Sequence, residues 1–262
     1  MRVKSFPLRT LSLAVALSIP MVAAHAGATG NIGVFSKYIL RGVTTTTIPS
    51  TAPATTNAIS AESDSAVLQG GFDYAADNGV YAGYWGSTLG YGKAGATGVE
   101  NDLYAGWGGK AGDISYSLGL IQYYYMNVGS NFNLTEFNPT VGYGPVTLGV
   151  KYLLKDGAWG NQGDAYWTAS YSADLPSNFK FGAVVGYYTY DKSANSMMCG
   201  SETGSQCTTE SSAFRHVDLT LSHPIAKSGA DMSLTYTLAG KNRQGIDMND
   251  TLWFGVKYGF DL

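Results

Sequence analysis

Charged side chains are scarce in this sequence. Asp, Glu, Lys and Arg together make up 13% of its 262 residues, about half of the share that is usual in globular proteins. Three histidines and two cysteines leave little material for a metal centre. Mean hydropathy is −0.04, and beyond residue 26 no apolar run approaches the roughly 20 residues that a spanning helix needs. These absences argue against a helical membrane protein.

Glycine and aromatic residues, in contrast, are plentiful. The chain has 34 Gly, 19 Tyr and 5 Trp, with no break in composition that would suggest a second domain. Few charges, many aromatics and many glycines suit a barrel whose outer face meets lipid and whose interior is polar.

The last thirteen residues, 250–262, show the pattern of a membrane strand most clearly. Every even position from Leu252 to Leu262 is apolar or aromatic, while most odd positions are small or polar. Side chains alternate across a strand, so one face is apolar over the roughly 9–11 residues that a tilted strand needs to cross a bilayer. Such an ending is similar to the C-terminal signature that the barrel-assembly machinery of bacterial outer membranes binds. An edge strand of a soluble sheet is the alternative.

Residues 1–26 are predicted to be a cleaved signal peptide. Arg2, Lys4 and Arg9 form a basic start, residues 11–24 are apolar, and residues 24–26 read Ala-His-Ala, a small-x-small cleavage site. The apolar run is short of a spanning helix, which argues against an uncleaved anchor. Without this segment 13 basic residues face 19 acidic ones, a net charge of −6, which gives no indication of nucleic-acid binding.

Cys199 and Cys207 lie in a stretch rich in Ser, Thr and Gly. In an exported protein the pattern predicts a local disulfide between them. A metal site would lack ligands, since no histidine or carboxylate pair lies near, so no metal and no cofactor is predicted.

Alternating polarity and turn residues predict twelve strands between residues 27 and 262, which we expect to close into an antiparallel up-and-down transmembrane β-barrel of the all-β class. Long and short connections alternate along the chain, as in outer-membrane barrels with short periplasmic turns and longer external loops. The predicted external loops are 44–63, 90–98, 127–131, 156–163, 191–212 and 240–249. The first of these is rich in Thr, Ala, Ser and Pro and is not expected to pack a core.

Four segments carry a family resemblance: 30–43 (GNIGVFSKYILRGV), 66–75 (AVLQGGFDYA), 80–87 (VYAGYWGS) and 100–107 (ENDLYAGW). Their most specific part is Ser36, Tyr38, Arg41 and Gly42 followed by residues 69–74. The chain resembles the TorF-like family of outer-membrane porins of Gram-negative bacteria over nearly its whole mature length. The resemblance implies the fold and location and names no solute.

The first predicted strand, 30–43, places Ile32, Val34, Tyr38 and Leu40 on an apolar outer face and Lys37 and Arg41 in the lumen. Closure would bring that basic pair beside Lys257 of the last strand, while Glu100, Asp102 and Glu136 would form an acidic sector. Charged residues inside a membrane barrel usually face water and mark a solute pathway. The full set of expected pore-lining residues is Lys37, Arg41, Asp73, Glu100, Asp102, Glu136, Lys151, His216, Asp218 and Lys257.

No catalytic motif accompanies these residues. His216 lies two positions from Asp218 on one strand face, which could orient an imidazole, but no recognisable motif places a nucleophile beside it. We therefore expect that the protein is not an enzyme. We expect a narrow passive channel for small hydrophilic solutes or ions in the outer membrane, with lipid and the barrel-assembly machinery as its partners. The alternatives are a plugged structural or adhesive barrel, in which the charges neutralise one another, and a barrel enzyme.

Overall fold

The computed structural model describes residues 27–48, 57–93, 95–129, 132–192 and 208–262, and these form antiparallel strands joined by turns and loops. In chain order the strands are β1 (Gly27–Phe35), β2 (Thr46–Ile48), β3 (Asn57–Ile59), β4 (Val67–Ala75), β5 (Val80–Thr88), β6 (Val99–Ala111), β7 (Ile114–Met126), β8 (Thr135–Phe137), β9 (Thr140–Tyr143), β10 (Val146–Leu153), β11 (Ala165–Asp174), β12 (Lys180–Thr189), β13 (Ser212–Pro224), β14 (Ala230–Ala239) and β15 (Thr251–Asp261).

The strands close into one barrel. Successive wall strands pair with one another, β1 pairs with β4 and β15, and β10 pairs with β11, so the sheet has no free edge. β8 and β9 are two halves of a single wall strand between β7 and β10, while β2 and β3 form a separate hairpin in the first long loop. The predicted twelve-stranded antiparallel barrel is confirmed.

Alternation along each strand makes the outer surface apolar. In β15, Leu252, Phe254, Val256 and Tyr258 remain between 41% and 62% exposed, whereas Trp253 between them is 3% exposed inside the barrel. A water-soluble protein does not leave such a continuous apolar belt uncovered, whereas lipid covers it. Within the part of the chain that the structure describes, no helix is long and apolar enough to cross a bilayer.

Short turns and long loops occupy opposite ends of the barrel. The hairpin between β4 and β5 turns through Gly79, which has φ +86°, and Gly112 and Gly144 adopt positive φ in the two following tight turns. Glycine suits these positions because a Cβ disfavours that backbone region. The long connections lie at the other end, where the first loop, 36–66, begins.

The first strand is shorter than its sequence pattern predicts. The backbone N–H of Ser36 still donates to the backbone oxygen of Phe254 of β15, and the N–H of Phe254 donates to Oγ of Ser36, but the chain then leaves the wall and turns into the barrel. Tyr38 and Leu40 are therefore buried inside instead of facing lipid. Arg41 has φ +50° and Gly42 φ +72°, a turn that strand geometry does not allow. The prediction of a strand to residue 43 is wrong.

The ends of the first loop also pack more than their composition suggests. Ala61 and Ser63 are buried, and Ser63 exchanges two backbone hydrogen bonds with Tyr38. Thr44 donates to the backbone oxygen of Asn249 at 2.5 Å. The expectation that 44–63 would not pack a core therefore fails at its described ends. The signal peptide predicted at 1–26 and the disulfide predicted between Cys199 and Cys207 lie outside the described residues and stay predictions.

Candidate functional site

The candidate site is built around residues 36–44, which we call the inward segment. Its turn brings Gly42 against β13, where a Cβ added to Gly42 would overlap Cβ of His216. Arg41 precedes this glycine and has a left-handed backbone, which costs a residue with a side chain about 1–2 kcal/mol. The contacts of the Arg41 side chain must offset that strain.

The guanidinium of Arg41 forms a two-pronged ion pair with Glu136 of β8. Its Nη2 lies 2.7 Å from Oε2 and its Nη1 2.8 Å from Oε1. The same nitrogens donate to the hydroxyl of Tyr188 at 2.8 Å and to that of Tyr123 at 3.0 Å. Tyr123 in turn donates to Glu136 at 2.7 Å. Charge-assisted bonds of this kind are the strong ones.

Two aromatic rings complete the surroundings of Arg41. The guanidinium carbon lies 5.6 Å from the ring centre of Trp159 and 5.1 Å from that of Tyr166, within the range of cation–π attraction. Burial opposes the charge, but Glu136 raises the pKa of Arg41 well above its usual value, so the group is charged. We call the surrounding residues the Arg41 cage: Tyr123, Glu136, Trp159, Tyr166 and Tyr188.

The cage joins opposite sides of the barrel. Its members stand on β7, β8, β11 and β12 and on the loop after β10, whereas Arg41 arrives from the end of β1. The backbone oxygen of Arg41 accepts a hydrogen bond of 3.1 Å from Arg215 of β13. Around the inward segment, Tyr38, Ile39 and Leu40 pack with Leu134, Leu153 and Trp253. The inward segment therefore crosses the lumen and fills part of it.

Two acidic residues of β6, Glu100 and Asp102, lie beside the cage. The hydroxyl of Tyr38 donates to Oε2 of Glu100 at 2.9 Å, but the other oxygen of Glu100 and both oxygens of Asp102 have no hydrogen-bond partner among the described residues. Both side chains are fully buried. Glu62, from the first loop, accepts a 2.6 Å bond from Tyr91, and burial raises its pKa. We call Glu62, Glu100 and Asp102 the acidic group.

Polar side chains continue around the wall from the cage. Tyr166 OH lies 2.7 Å from Nε2 of His216. Nδ1 of His216 lies 3.2 Å from Oδ1 of Asp218, near enough for an ion pair but without hydrogen-bond alignment. Asp218 accepts from Thr237 at 2.7 Å, and Thr237 accepts from Trp253 at 3.1 Å. These contacts hold His216 and Asp218 in fixed positions.

Arg215 is an inward residue that sequence alternation misses. Its register opposite β12 shifts between Gly186 and Tyr187, because β13 carries one extra residue there. Such a bulge turns two successive side chains to the same face, so Arg215 and His216 are both buried. Adjacent polar residues in an alternating strand are the signal that could have revealed it. Arg215 lies over the ring of Tyr188 at 5.5 Å.

The structure separates the residues that the sequence grouped as a basic wall. Arg41 lies against Glu136 and not beside Lys257, because the wall strand ends before it. Lys37 also lies beyond the strand and pairs with Asp64 at 3.2 Å, where both side chains are partly exposed. Lys257 stays on β15, opposite Gly33 of β1 and Asp231 of β14. The predicted opposing basic and acidic walls are therefore not formed, and Arg41 and Glu136 instead form one ion pair.

The other expected pore residues lie on inward positions of the wall. Asp73 of β4 accepts a hydrogen bond from Tyr104, and Lys151 of β10 is buried, facing the charges of Arg41, Glu136, Asp102 and Glu100. In the described ranges, no group of three or more His, Cys, Asp or Glu residues could hold a metal ion. That these residues line a solute pathway stays a prediction.

Comparison with known proteins gives a family and a fold. A family described as "Bacterial protein of unknown function (Gcw_chp)" matches residues 22–201, more than half of the chain. No curated protein matches. Among solved structures, the COG4313 outer membrane channel from Pseudomonas putida F1 is 10% identical, with a TM-score of 0.52 over 93% of this chain and 98% of that one.

Two further channels share less of the geometry. OccAB3 of Acinetobacter baumannii is 9% identical with a TM-score of 0.38 over 87% of this chain and 60% of that one. OccK5 (OpdH) of Pseudomonas aeruginosa is 13% identical with a TM-score of 0.41 over 77% and 60%. This chain thus spans about 60% of the length of these two. Of these three, the P. putida channel has the geometry that supports the fold, and at this identity it supports the fold alone.

Proposed function

The chain belongs to the Gcw_chp family of bacterial proteins, and from that premise we propose that it is an outer-membrane channel for small hydrophilic solutes or ions, narrowed by its own inward segment. Its barrel would lie in outer-membrane lipid with the short turns in the periplasm. The barrel-assembly machinery would recognise residues 250–262. That the chain is, more specifically, a member of the TorF-like family of porins is part of the same proposal.

The observation that carries this proposal is a belt of buried charged residues inside a barrel whose outer surface is apolar. Arg41, Glu100, Asp102, Glu136 and Lys151 are each at most 9% exposed. Burying charge opposes folding, so a barrel selected for stability alone would fill this space with apolar side chains. In membrane proteins such charges usually mark the path of a solute.

A closed structural or adhesive barrel is the second candidate. It is favoured by the apolar packing of Tyr38, Ile39 and Leu40 inside the wall, which leaves less room for solutes beside Arg41. That the protein is not an enzyme remains an expectation. The arrangement of Tyr166, His216 and Asp218 holds an imidazole in place, and we assign it a structural role in the wall.

Reconstitution separates the two candidates. Purified protein should resist SDS until heated and then change mobility, as a closed barrel does. In planar bilayers and in liposome swelling assays, the channel proposal expects a small conductance and slow entry of small sugars. Replacing Glu100 and Asp102 by Lys should shift the reversal potential towards anion selectivity. Folded protein without conductance or swelling would support the closed barrel instead.

A further inference from the structure

The Arg41 cage has the composition of a binding site for a planar cation. One carboxylate offers two oxygens in the plane of the guanidinium, two tyrosine hydroxyls lie within 3.0 Å of its nitrogens, and two aromatic rings approach its carbon. This combination fits the fork of hydrogen-bond donors and the delocalised charge of a guanidinium better than the compact, strongly hydrated charge of an ammonium group. All five cage residues come from the wall and the loop after β10.

Arg41 itself occupies this site imperfectly. Its Nε is buried without a hydrogen-bond partner among the described residues, and its backbone is in the left-handed region at φ +50°. A free solute with a guanidinium group would make the same contacts to the cage without the strained backbone. The side chain of Arg41 therefore resembles a ligand that is attached to the chain, and a free solute with a guanidinium group could replace it.

We propose that the Arg41 cage is a binding site for solutes that carry a guanidinium group, and that such a solute displaces Arg41 and the inward segment from the lumen. Displacement would widen the path that the segment narrows. This inference deepens the proposed channel function and rests on it for the transport step. The binding step does not depend on conductance.

Binding is tested on the Arg41→Ala variant, in which the cage loses its own ligand. Isothermal titration calorimetry in detergent should show saturable binding of methylguanidinium and at least tenfold weaker binding of methylurea, which has a similar shape and no charge. Adding Glu136→Gln to this variant should weaken methylguanidinium binding at least tenfold. A Lys37→Ala variant keeps Arg41 in the cage and should bind methylguanidinium at least tenfold more weakly than Arg41→Ala does.

Absence of a preference for methylguanidinium over methylurea in Arg41→Ala would overturn the binding site. Should Arg41→Ala fail to form a heat-modifiable barrel, Arg41→Gln, which removes the charge but keeps a long polar side chain, takes its place. Should neither variant assemble, the measurement on the wild type described next decides.

Displacement is tested on the wild-type protein by liposome swelling in a small neutral sugar. Methylguanidinium chloride should accelerate swelling severalfold compared with sodium chloride at equal ionic strength, and methylurea should not. Unchanged swelling of the wild type, with faster swelling of Arg41→Ala, would show that Arg41 is a fixed constriction and overturn displacement. If no protein supports swelling, the channel function fails, and calorimetry alone decides the binding site.

Discussion

Glu136 and Asp102 are two buried carboxylates of the same barrel interior with opposite surroundings. Glu136 receives both nitrogen prongs of Arg41 and a hydrogen bond from Tyr123. Asp102, on β6, is equally buried but has no hydrogen-bond partner among the described residues. The first carboxylate belongs to a hydrogen-bonded ion pair, whereas the second faces the charge of Lys151 without a hydrogen bond.

The difference shows which part of the interior stabilises the fold and which part does not. A buried ion pair with good geometry and additional hydrogen bonds can offset the loss of water around its charges. A buried carboxylate without such partners only adds a desolvation penalty. The Arg41 cage should therefore hold the inward segment in place, whereas Asp102 should contribute little to stability.

The largest expected effect comes from Glu136→Gln. It leaves the buried guanidinium of Arg41 without a counter-charge, which should lower the free energy of unfolding by about 3–5 kcal/mol. Asp102→Asn is the matched control, since it removes a buried charge that makes no hydrogen bond among the described residues, and it should cost clearly less than Glu136→Gln. Urea titration in detergent, followed by the change in SDS mobility, measures both. Equal losses in the two variants would contradict the contrast between these carboxylates.

Gly42→Ala should have the next largest effect. The substituted residue would need a positive φ and its Cβ would overlap His216, so we expect a loss of about 2 kcal/mol and displacement of the inward segment. Gly112 also has positive φ, but nothing lies within 4 Å of a Cβ there. Gly112→Ala should therefore cost only the backbone strain, about 1 kcal/mol. Urea titration compares the two, and a larger loss in Gly112→Ala would mean that residue 42 does not pack against β13.

Tyr38→Phe tests how the acidic group is joined to the inward segment. It removes the hydroxyl that donates to Glu100, and a buried polar group left without its hydrogen-bond partner costs about 1–3 kcal/mol. We expect a loss at the lower end, about 1.5 kcal/mol, because Glu100 already lacks a partner on its other oxygen. Tyr91→Phe, which affects Glu62 of the same group, is the comparison. No loss in Tyr38→Phe would contradict a stabilising contact between the inward segment and Glu100.

Lys37→Ala should have the smallest effect. Lys37 and Asp64 form an ion pair in which the side chains are 30% and 43% exposed, and exposed pairs contribute at most about 1 kcal/mol. Stability and swelling rate should both stay close to those of the wild type. A change in ion selectivity in this variant would return Lys37 to the solute pathway, where the sequence pattern had placed it.

Much of the wall could be predicted from the sequence, because strand alternation is a local property. The inward and outward faces of β6 and β15 follow from the order of residues alone. The inward segment could not be predicted in this way, because residues 30–43 keep the alternation of β1 past its end. Only contacts with distant strands, such as Arg41 with Glu136, make the turn after Ser36 favourable.

The sequence predicts several residues of the interior site but not how they are arranged. The sequence predicts both Arg41 and Glu136 in the lumen, but their pairing depends on a backbone turn at Arg41 and Gly42 that no alternating pattern predicts. Arg215 was missed because the bulge opposite Gly186 and Tyr187 breaks the period of β13. The aromatic residues of the cage have no distinct sequence signal. Trp159 lies outside the strands, and the three tyrosines look like ordinary strand residues.

The swelling rate of liposomes that contain Arg41→Ala, relative to wild type, tests most directly whether Arg41 narrows the lumen. The cage holds the inward segment across the barrel, so removing the guanidinium should release it and increase sugar entry severalfold, while Lys37→Ala should swell at the wild-type rate. A properly folded Arg41→Ala barrel that swells no faster than the wild type would contradict this account.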